Sequence, residues 1–257
     1  MRTFPALAAI ILASTSVMAT EQWSGKYTGV NFGFGFNPGD NGELKFRRND
    51  GSDNSAAIND AFGQNFDGKF NAGSILGAEF GHDWQAGIWV YGAAFDLSLT
   101  DIGQEQSAFS ATPASYVNSR EVESLATLTG RIGWASNKPI LPYFRLGFAY
   151  ADIDHSWKGN SGAFQGANGG DNNIGYTAGL GAEFKWDAAL SFALEYRYVN
   201  LGDTDFDTQF GGETGLLGQA TGASSAFGTA AQGGSTAESS DDDFDFQSVS
   251  LHMRYRF

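Results

Sequence analysis

The stretch SVSLHMRYRF, Ser248 to Phe257, decides how this chain is read. Leu251, Met253, Tyr255 and Phe257 share one parity, while Ser250, His252, Arg254 and Arg256 share the other. Successive side chains of a strand point to opposite faces, so this spacing makes one face apolar and the other polar and basic. The apolar face must be covered, either by a protein core or by lipid.

The same alternation recurs upstream. In GKYTGVNFGFGF, from Gly25, Val30, Phe32, Phe34 and Phe36 oppose Gly29, Asn31, Gly33 and Gly35. SILGAEFGHDW sets Leu76, Ala78, Phe80 and Trp84 against Gly77, Glu79, Gly81 and Asp83, and IWVYGAAFDLSL sets Trp89, Tyr91, Phe95, Leu97 and Leu99 against Gly92, Ala94, Asp96 and Ser98. SLATLTGRIGW carries Arg131, YFRLGFAY carries Arg145, IGYTAGLGAEFKW carries Glu183 and Lys185, and LSFALEYRYV carries Glu195 and Arg197, each opposite a row of Leu, Ile, Phe, Tyr or Trp. With the last stretch this makes about eight segments of roughly ten residues, the length of a strand that crosses a bilayer.

Connections alternate between short and long. Gln85-Ala86-Gly87, the Asn137-Lys138-Pro139 region and Asp187-Ala188 are turns; Asn37 to Gly73, Asp101 to Glu121, Asp152 to Asp171 and Asn200 to Asp243 are long loops. That is the layout of an up-and-down barrel, with turns on one rim and loops on the other. Eight aromatic-rich faces turned inward, as in a lipocalin-like barrel, would overfill an interior only just wide enough for side chains. Turned outward they face lipid. The expected fold is therefore all-β: an eight-stranded antiparallel up-and-down transmembrane barrel with short turns and four long loops.

The polar face then lines the interior. Glu79, Asp96, Glu183 and Glu195 are expected to meet Arg131, Arg145, Lys185, Arg197, Arg254 and Arg256 there, because an unpaired buried charge costs several kcal/mol. So small a barrel, its interior plugged, is not expected to hold a wide aqueous channel. Trp23, Trp84, Trp89, Trp134 and Trp186 fall near the short-turn ends and read as one interfacial girdle.

Composition agrees. The chain has 257 residues with 35 Gly, 22 Phe and 5 Pro, favouring strands over helix surfaces. A net charge of −14, with no Lys or Arg from Asn200 to Met253, excludes a nucleic-acid partner, which needs clustered cations. Cysteine is absent, so neither a disulfide framework nor a thiolate site exists. Residues 1–19 combine Arg2, the apolar run ALAAIILA and small residues ending Val17-Met18-Ala19, the pattern of a secretory leader cleaved after Ala19. Residues 20–257 then form the barrel.

The leader, the Gly-rich alternating strands, WASNKPILPYFRLGFAYA, GYTAGLGAEFKW followed by LEYRYVNLGD, and the final Arg256-Phe257 together resemble the opacity-type, OmpA-like small outer-membrane β-barrel proteins. The resemblance covers essentially the whole mature chain. It implies a Gram-negative outer membrane, with turns in the periplasm, loops outside the cell and lipopolysaccharide at the outer leaflet. It further implies insertion by the barrel assembly machinery, with Tyr255 and Phe257 in the C-terminal strand as the assembly signal. No cofactor is expected.

Three loop features bear on chemistry. Asp203, Asp205 and Asp207 open the fourth loop and Asp241, Asp242, Asp243 and Asp245 close it, where convergent carboxylates would suit Ca²⁺ or Mg²⁺. The spacing matches no EF-hand, and a solvated acidic loop explains the same residues. His155, in DIDHSW beside Ser156, Asp152 and Asp154, is the place to look for a lipid A-modifying activity, although adjacency in sequence does not supply the geometry of a triad. The stretch GLLGQATGASSAFGTAAQGGS has the composition of an exposed flexible loop, suited to adhesion or shielding. The function expected is a surface and envelope-integrity role, with a lipid A-modifying enzyme and a narrow channel as alternatives. An extracellular ligand is a further partner expected of such loops.

Overall fold

The computed structural model describes residues 23–37, 42–110, 115–135, 139–159, 168–204, 208–210, 224–228, 232–240 and 243–257. The leader, Met1 to Ala19, lies outside them, as do Asp205, Asp207, Asp241 and Asp242. The elements are β1 (Gly25–Phe36), β2 (Leu44–Arg48), α1 (Ser55–Phe62), β3 (Phe66–Asn71), β4 (Gly73–Ala86), β5 (Trp89–Phe109), β6 (Ser115–Trp134), β7 (Ile140–Gly159), β8 (Asn168–Lys185), β9 (Leu190–Asp203), β10 (Thr208–Phe210), α2 (Ser224–Phe227), β11 (Ser235–Ser239) and β12 (Asp243–Arg256). No described helix is long and apolar enough to cross a membrane.

Alternation dictates how the strands assemble. Each wall strand pairs antiparallel with its chain neighbours, and β1 also pairs with β12, from Tyr27 opposite Arg256 to Phe36 opposite Gln247. The sheet thus closes on itself through β1 and β12 and leaves no edge at the height of the β1–β4 ladder, while β3 above it pairs with β5 alone. β3 and β4 are the upper and lower parts of one wall strand, since β5 pairs with both, Gly103 to Ala108 with β3 and Trp89 to Thr100 with β4. Eight walls result. Leu76, Phe80, Leu128, Phe148, Leu180 and Leu251 face outward and are exposed, as is Ile174 at 74%. A continuous apolar band of this kind is a lipid face.

The walls differ in height. β1 has 12 residues, whereas β5, β6 and β7 have 21, 20 and 20. About ten residues suffice to cross the bilayer, so one side of the wall rises well above it. The second and third loops expected from the sequence are therefore mostly strand, paired from Ile102 opposite Val122 to Phe109 opposite Ser115 and from Val122 opposite Ile153 to Tyr116 opposite Gly159. The register of β6 against β7 slips by one between Val122 and Ser124. Below the slip Leu125, Thr127, Thr129 and Arg131 point inward; above it Arg120 and Val122 do.

The first and fourth loops also fold. β2, β11 and β10 form a separate three-stranded sheet in which Phe46 lies opposite Ala237 and Thr236 opposite Gln209. Together with α1 and α2 this sheet caps the raised wall. Phe46, Phe62, Phe210 and Phe227 of the cap pack with Tyr116 and Trp157 of the wall, with ring centres 5.0 Å apart for Phe46 and Phe227 and 5.1 Å for Trp157 and Phe210. The low-complexity stretch is therefore not wholly an exposed loop, because Ala226 and Phe227 lie in this core. A single aromatic side chain contributes enough apolar area to anchor a Gly- and Ala-rich segment.

Candidate functional site: the charged interior and its two closures

Inward parity collects charge from seven of the eight walls. Asp83 and Glu79 come from β4, Asp96 from β5, Arg131 from β6, Arg145 from β7, Glu183 from β8, Glu195 and Arg197 from β9, and Arg254 and Arg256 from β12. Asp83 pairs with Arg131 at 2.5 Å and Arg256 at 2.8 Å; Glu183 pairs with Arg131 and Arg254, both at 2.7 Å, and with Arg256 at 3.3 Å. Arg254 continues to Glu79 at 2.6 Å. Arg145 joins Glu79 at 3.7 Å, Asp96 at 2.9 Å and Glu195 at 3.1 Å, and Arg197 closes on Glu195 at 2.7 Å and Asp96 at 3.5 Å. Five carboxylates thus face five guanidiniums in one connected array, with no net charge left over.

The eighth wall contributes an aromatic. Tyr27 of β1 and Tyr143 of β7 flank the guanidiniums: Arg131 lies 5.4 and 5.2 Å from their ring centres and Arg254 lies 5.4 and 5.6 Å away. Ring faces attract such cations, more so when both are desolvated. Tyr143 also donates its hydroxyl to Glu195 at 2.8 Å. Room for both rings comes from glycine, because a Cβ at Gly81 would collide with the Tyr27 ring and one at Gly181 with that of Tyr143.

Two of the expected placements change. Trp23 does not join the interfacial girdle; it is 2% exposed and packs with Val90, Ala135 and Leu141 inside the short-turn mouth. Its carbonyl accepts from Arg256 Nη1 at 2.6 Å, and its N–H donates to Gln85 Oε1 at 2.8 Å. Trp23 has the inward parity of Tyr27, a signal present in the sequence but outweighed there by the preference of tryptophan for interfaces. Lys185 sits half-buried at that mouth, with its Nζ 4.9 Å from the Trp23 ring centre. Asp83 and His252, both on the inward parity read from the sequence, join the array; His252 Nδ1 lies 3.2 Å from Glu79 Oε1.

Above the charges the interior turns apolar, with Ile75, Ile102, Val122, Leu125, Ala149, Ala151, Ile153, Val199, Leu201, Phe244 and Phe246 packed together. Next comes a polar layer. Arg120 donates to Gln104 at 2.5 Å and to Thr204 at 2.6 Å, and Gln106 donates to Ser239 at 2.5 Å. These side chains, with Asn118 and His155, line a cavity of about 10 Å³, room for a single water. The aromatic cap lies above.

His155 is thus buried inside, while Asp152 and Asp154 take the outward parity of β7 and are exposed. The geometry does not bring them together as a triad. Of the aspartates considered for a cation, Asp203 and Asp243 are register partners at the top of β9 and β12, and Asp243 accepts from Asn200 at 3.1 Å. Asp205 and Asp241 lie outside the described residues. Among the described residues, Glu79, Asp96 and His252 can bring ligand atoms within 4.8 Å of one another. Both carboxylates already hold arginines, however, and a divalent ion would add uncompensated charge to a balanced interior.

A closed eight-walled barrel with a lipid-facing apolar band and an interior filled around a charge-balanced array is a transmembrane β-barrel of the outer membrane. The family model for the outer membrane protein beta-barrel domain matches residues 6–257, and the chain belongs to that family. The 31 kDa outer-membrane immunogenic protein of Brucella melitensis is 24% identical over 74% of this chain and 78% of its own. The 22 kDa outer membrane protein of Rhizobium leguminosarum is 29% identical over 51% and 54%. Among solved structures, the outer membrane protein OprG of Pseudomonas aeruginosa superimposes with a TM-score of 0.53 at 14% identity, covering 91% of this chain and 96% of that one. The protein crosses the cell outer membrane many times, in contact with its lipids and lipopolysaccharide, with short turns on the periplasmic rim and long connections on the extracellular one.

Proposed function

We propose that this barrel is a sealed anchor that presents a folded acidic cap on the cell surface, in an envelope-stabilising and surface-interaction role. The observation that carries the reading is the filling of the interior at successive heights: Trp23 at the periplasmic mouth, the arginine–carboxylate array, the layer around Phe244 and Phe246, and the aromatic cap. Such an interior suits a rigid support better than a conduit. Conductance in planar bilayers tests it: the protein should give no discrete steps, and reproducible openings would return the narrow channel to first place. Lipid A mass spectra should be unchanged on expression; a new mass would favour an enzyme.

The leader is removed after Ala19 in this reading, and the barrel assembly machinery recognises Tyr255 and Phe257 on the closing strand. Lipopolysaccharide is met through the outer wall. Glu121, Glu123, Asp152 and Asp154 face outward just above Leu128 and Tyr150, and the register sets Glu121 opposite Asp154 and Ser124 opposite Asp152. At headgroup level these acids face lipid A phosphates, so divalent cations bridge the two. Chelation should therefore loosen the contact, seen as release of co-purified lipopolysaccharide; retention would argue against the bridge.

A further inference from the structure

Lipid-facing side chains between the two rims are almost wholly uncharged. Among the described residues of that band the ionisable ones, tyrosine aside, are Lys26 and His82. They are not scattered, because the β1–β4 register sets them directly opposite each other. Cβ atoms of such a pair lie about 5 Å apart, and two basic groups so placed repel when both are charged. Among the described residues neither is paired with a carboxylate.

Their surroundings define a depth and a shape. The His82 ring packs on Trp84, with centres 4.3 Å apart, and Trp84 belongs with Trp89, Trp134 and Trp186 to the periplasmic aromatic girdle. Lys26 therefore sits just inside that girdle, within reach of the headgroups along its flexible stem. On the other flank, Tyr255 of β12 lies opposite Thr28, the next lipid-facing residue of β1. Ammonium, imidazole and phenol thus share one lipid-facing patch on three adjacent strands, beside the seam where the first and last strands meet. Beyond them Val30, Phe80 and Met253 continue the same face as bare apolar wall.

We propose that Lys26, His82 and Tyr255 hold the phosphate of an anionic phospholipid of the periplasmic leaflet, of the phosphatidylglycerol class. The phosphate oxygens accept from the two basic groups and relieve their repulsion, while the acyl chains lie along Val30, Phe80 and Met253. No described Asp or Glu side chain faces lipid at this depth to receive the ammonium of a zwitterionic headgroup, which favours an uncharged glycerol beyond the phosphate.

Native mass spectrometry of the folded, full-length mature protein tests the site, with phosphatidylglycerol and phosphatidylcholine of identical acyl chains offered in turn. One phosphatidylglycerol should be retained at least fivefold more strongly than phosphatidylcholine. K26M/H82F, which keeps the wall apolar, should abolish the preference, K26R/H82K should preserve it, and Lys69→Met, outside this patch, should leave it unchanged. Equal retention of the two lipids by the native protein overturns the proposal. So does an undiminished preference in K26M/H82F, or a loss in Lys69→Met equal to that in K26M/H82F. Heat-modifiable migration on gels establishes folding of each variant, and should K26M/H82F not fold, the two-lipid comparison on native protein and on Lys26→Met decides.

Discussion

Gly81 has no side chain because the ring of Tyr27 occupies the space where one would go, and that ring lies against Arg131, Arg254 and Arg256. Gly81→Leu should therefore prevent the folded barrel from forming in detergent, and Tyr27→Ala should restore it in part, because both changes concern the same volume. Heat-modifiable migration checks this; equal folding of Gly81→Leu and native protein would exclude the clash. Arg254 is fully buried and pairs with both Glu79 and Glu183. Arg254→Met leaves those carboxylates short of a partner in a water-poor interior and should destabilise the barrel by about 3–5 kcal/mol. Urea unfolding in lipid vesicles measures the loss. At this scale the sequence is informative about parity and silent about partners. Glu79 and Asp83 share a face by spacing alone, whereas which arginine each meets depends on strands up to 175 residues away.

At the scale of elements the two rims behave differently. The β8–β9 turn is local: Asp187 Oδ1 accepts from the N–H groups of Ala189 and Leu190 at 2.8 and 2.7 Å. These bonds hold its carboxyl below the usual aspartate value. A lowered folded value means that the turn gains stability above the ordinary aspartate pKa of about 3.9 and loses it as pH falls through the depressed one. Carbon-detected NMR titration should put the Asp187 midpoint below about 3.9, with the Ala189 and Leu190 amides shifting in step; an ordinary midpoint would discount the turn bonds. The cap is non-local, since Phe227 of α2 reaches Phe46 of β2 and Tyr116 of β6. Phe227→Ala removes the shared ring at a cost of about 3–5 kcal/mol, and should expose the cap to protease while the barrel stays intact on gels. The short strands β2, β10 and β11 were illegible in the sequence for the same reason. Five or fewer residues carry little periodicity, and their pairing, Phe46 opposite Ala237, joins the first long connection to the last.

The whole molecule is a stack with a closing seam. β12 lies between β9 and β1, and Arg256 binds across the seam to the Trp23 carbonyl and to Asp83. Closure therefore seals the periplasmic mouth and completes the charge array in one step. Deleting Phe257 removes the N–H that donates to the Lys26 carbonyl at 3.0 Å and an exposed ring of the lipid face. It should lower the amount of barrel inserted in cells several-fold while the purified chain still refolds in detergent. Equal insertion in cells would count against an assembly role for that residue.

Sequence by itself determined the barrel, its lipid-facing residues and the inward charges, because period-two alternation is local and a transmembrane wall leaves each side chain only two faces to choose between. It could not determine height, partners or closure. The upper half of β6 follows a one-residue slip that reverses its parity, the cap joins the first and fourth loops, and Trp23 turns into the mouth where parity and interfacial preference conflict. Each of these depends on contacts between residues distant in the chain, and only the closed sheet brings them together.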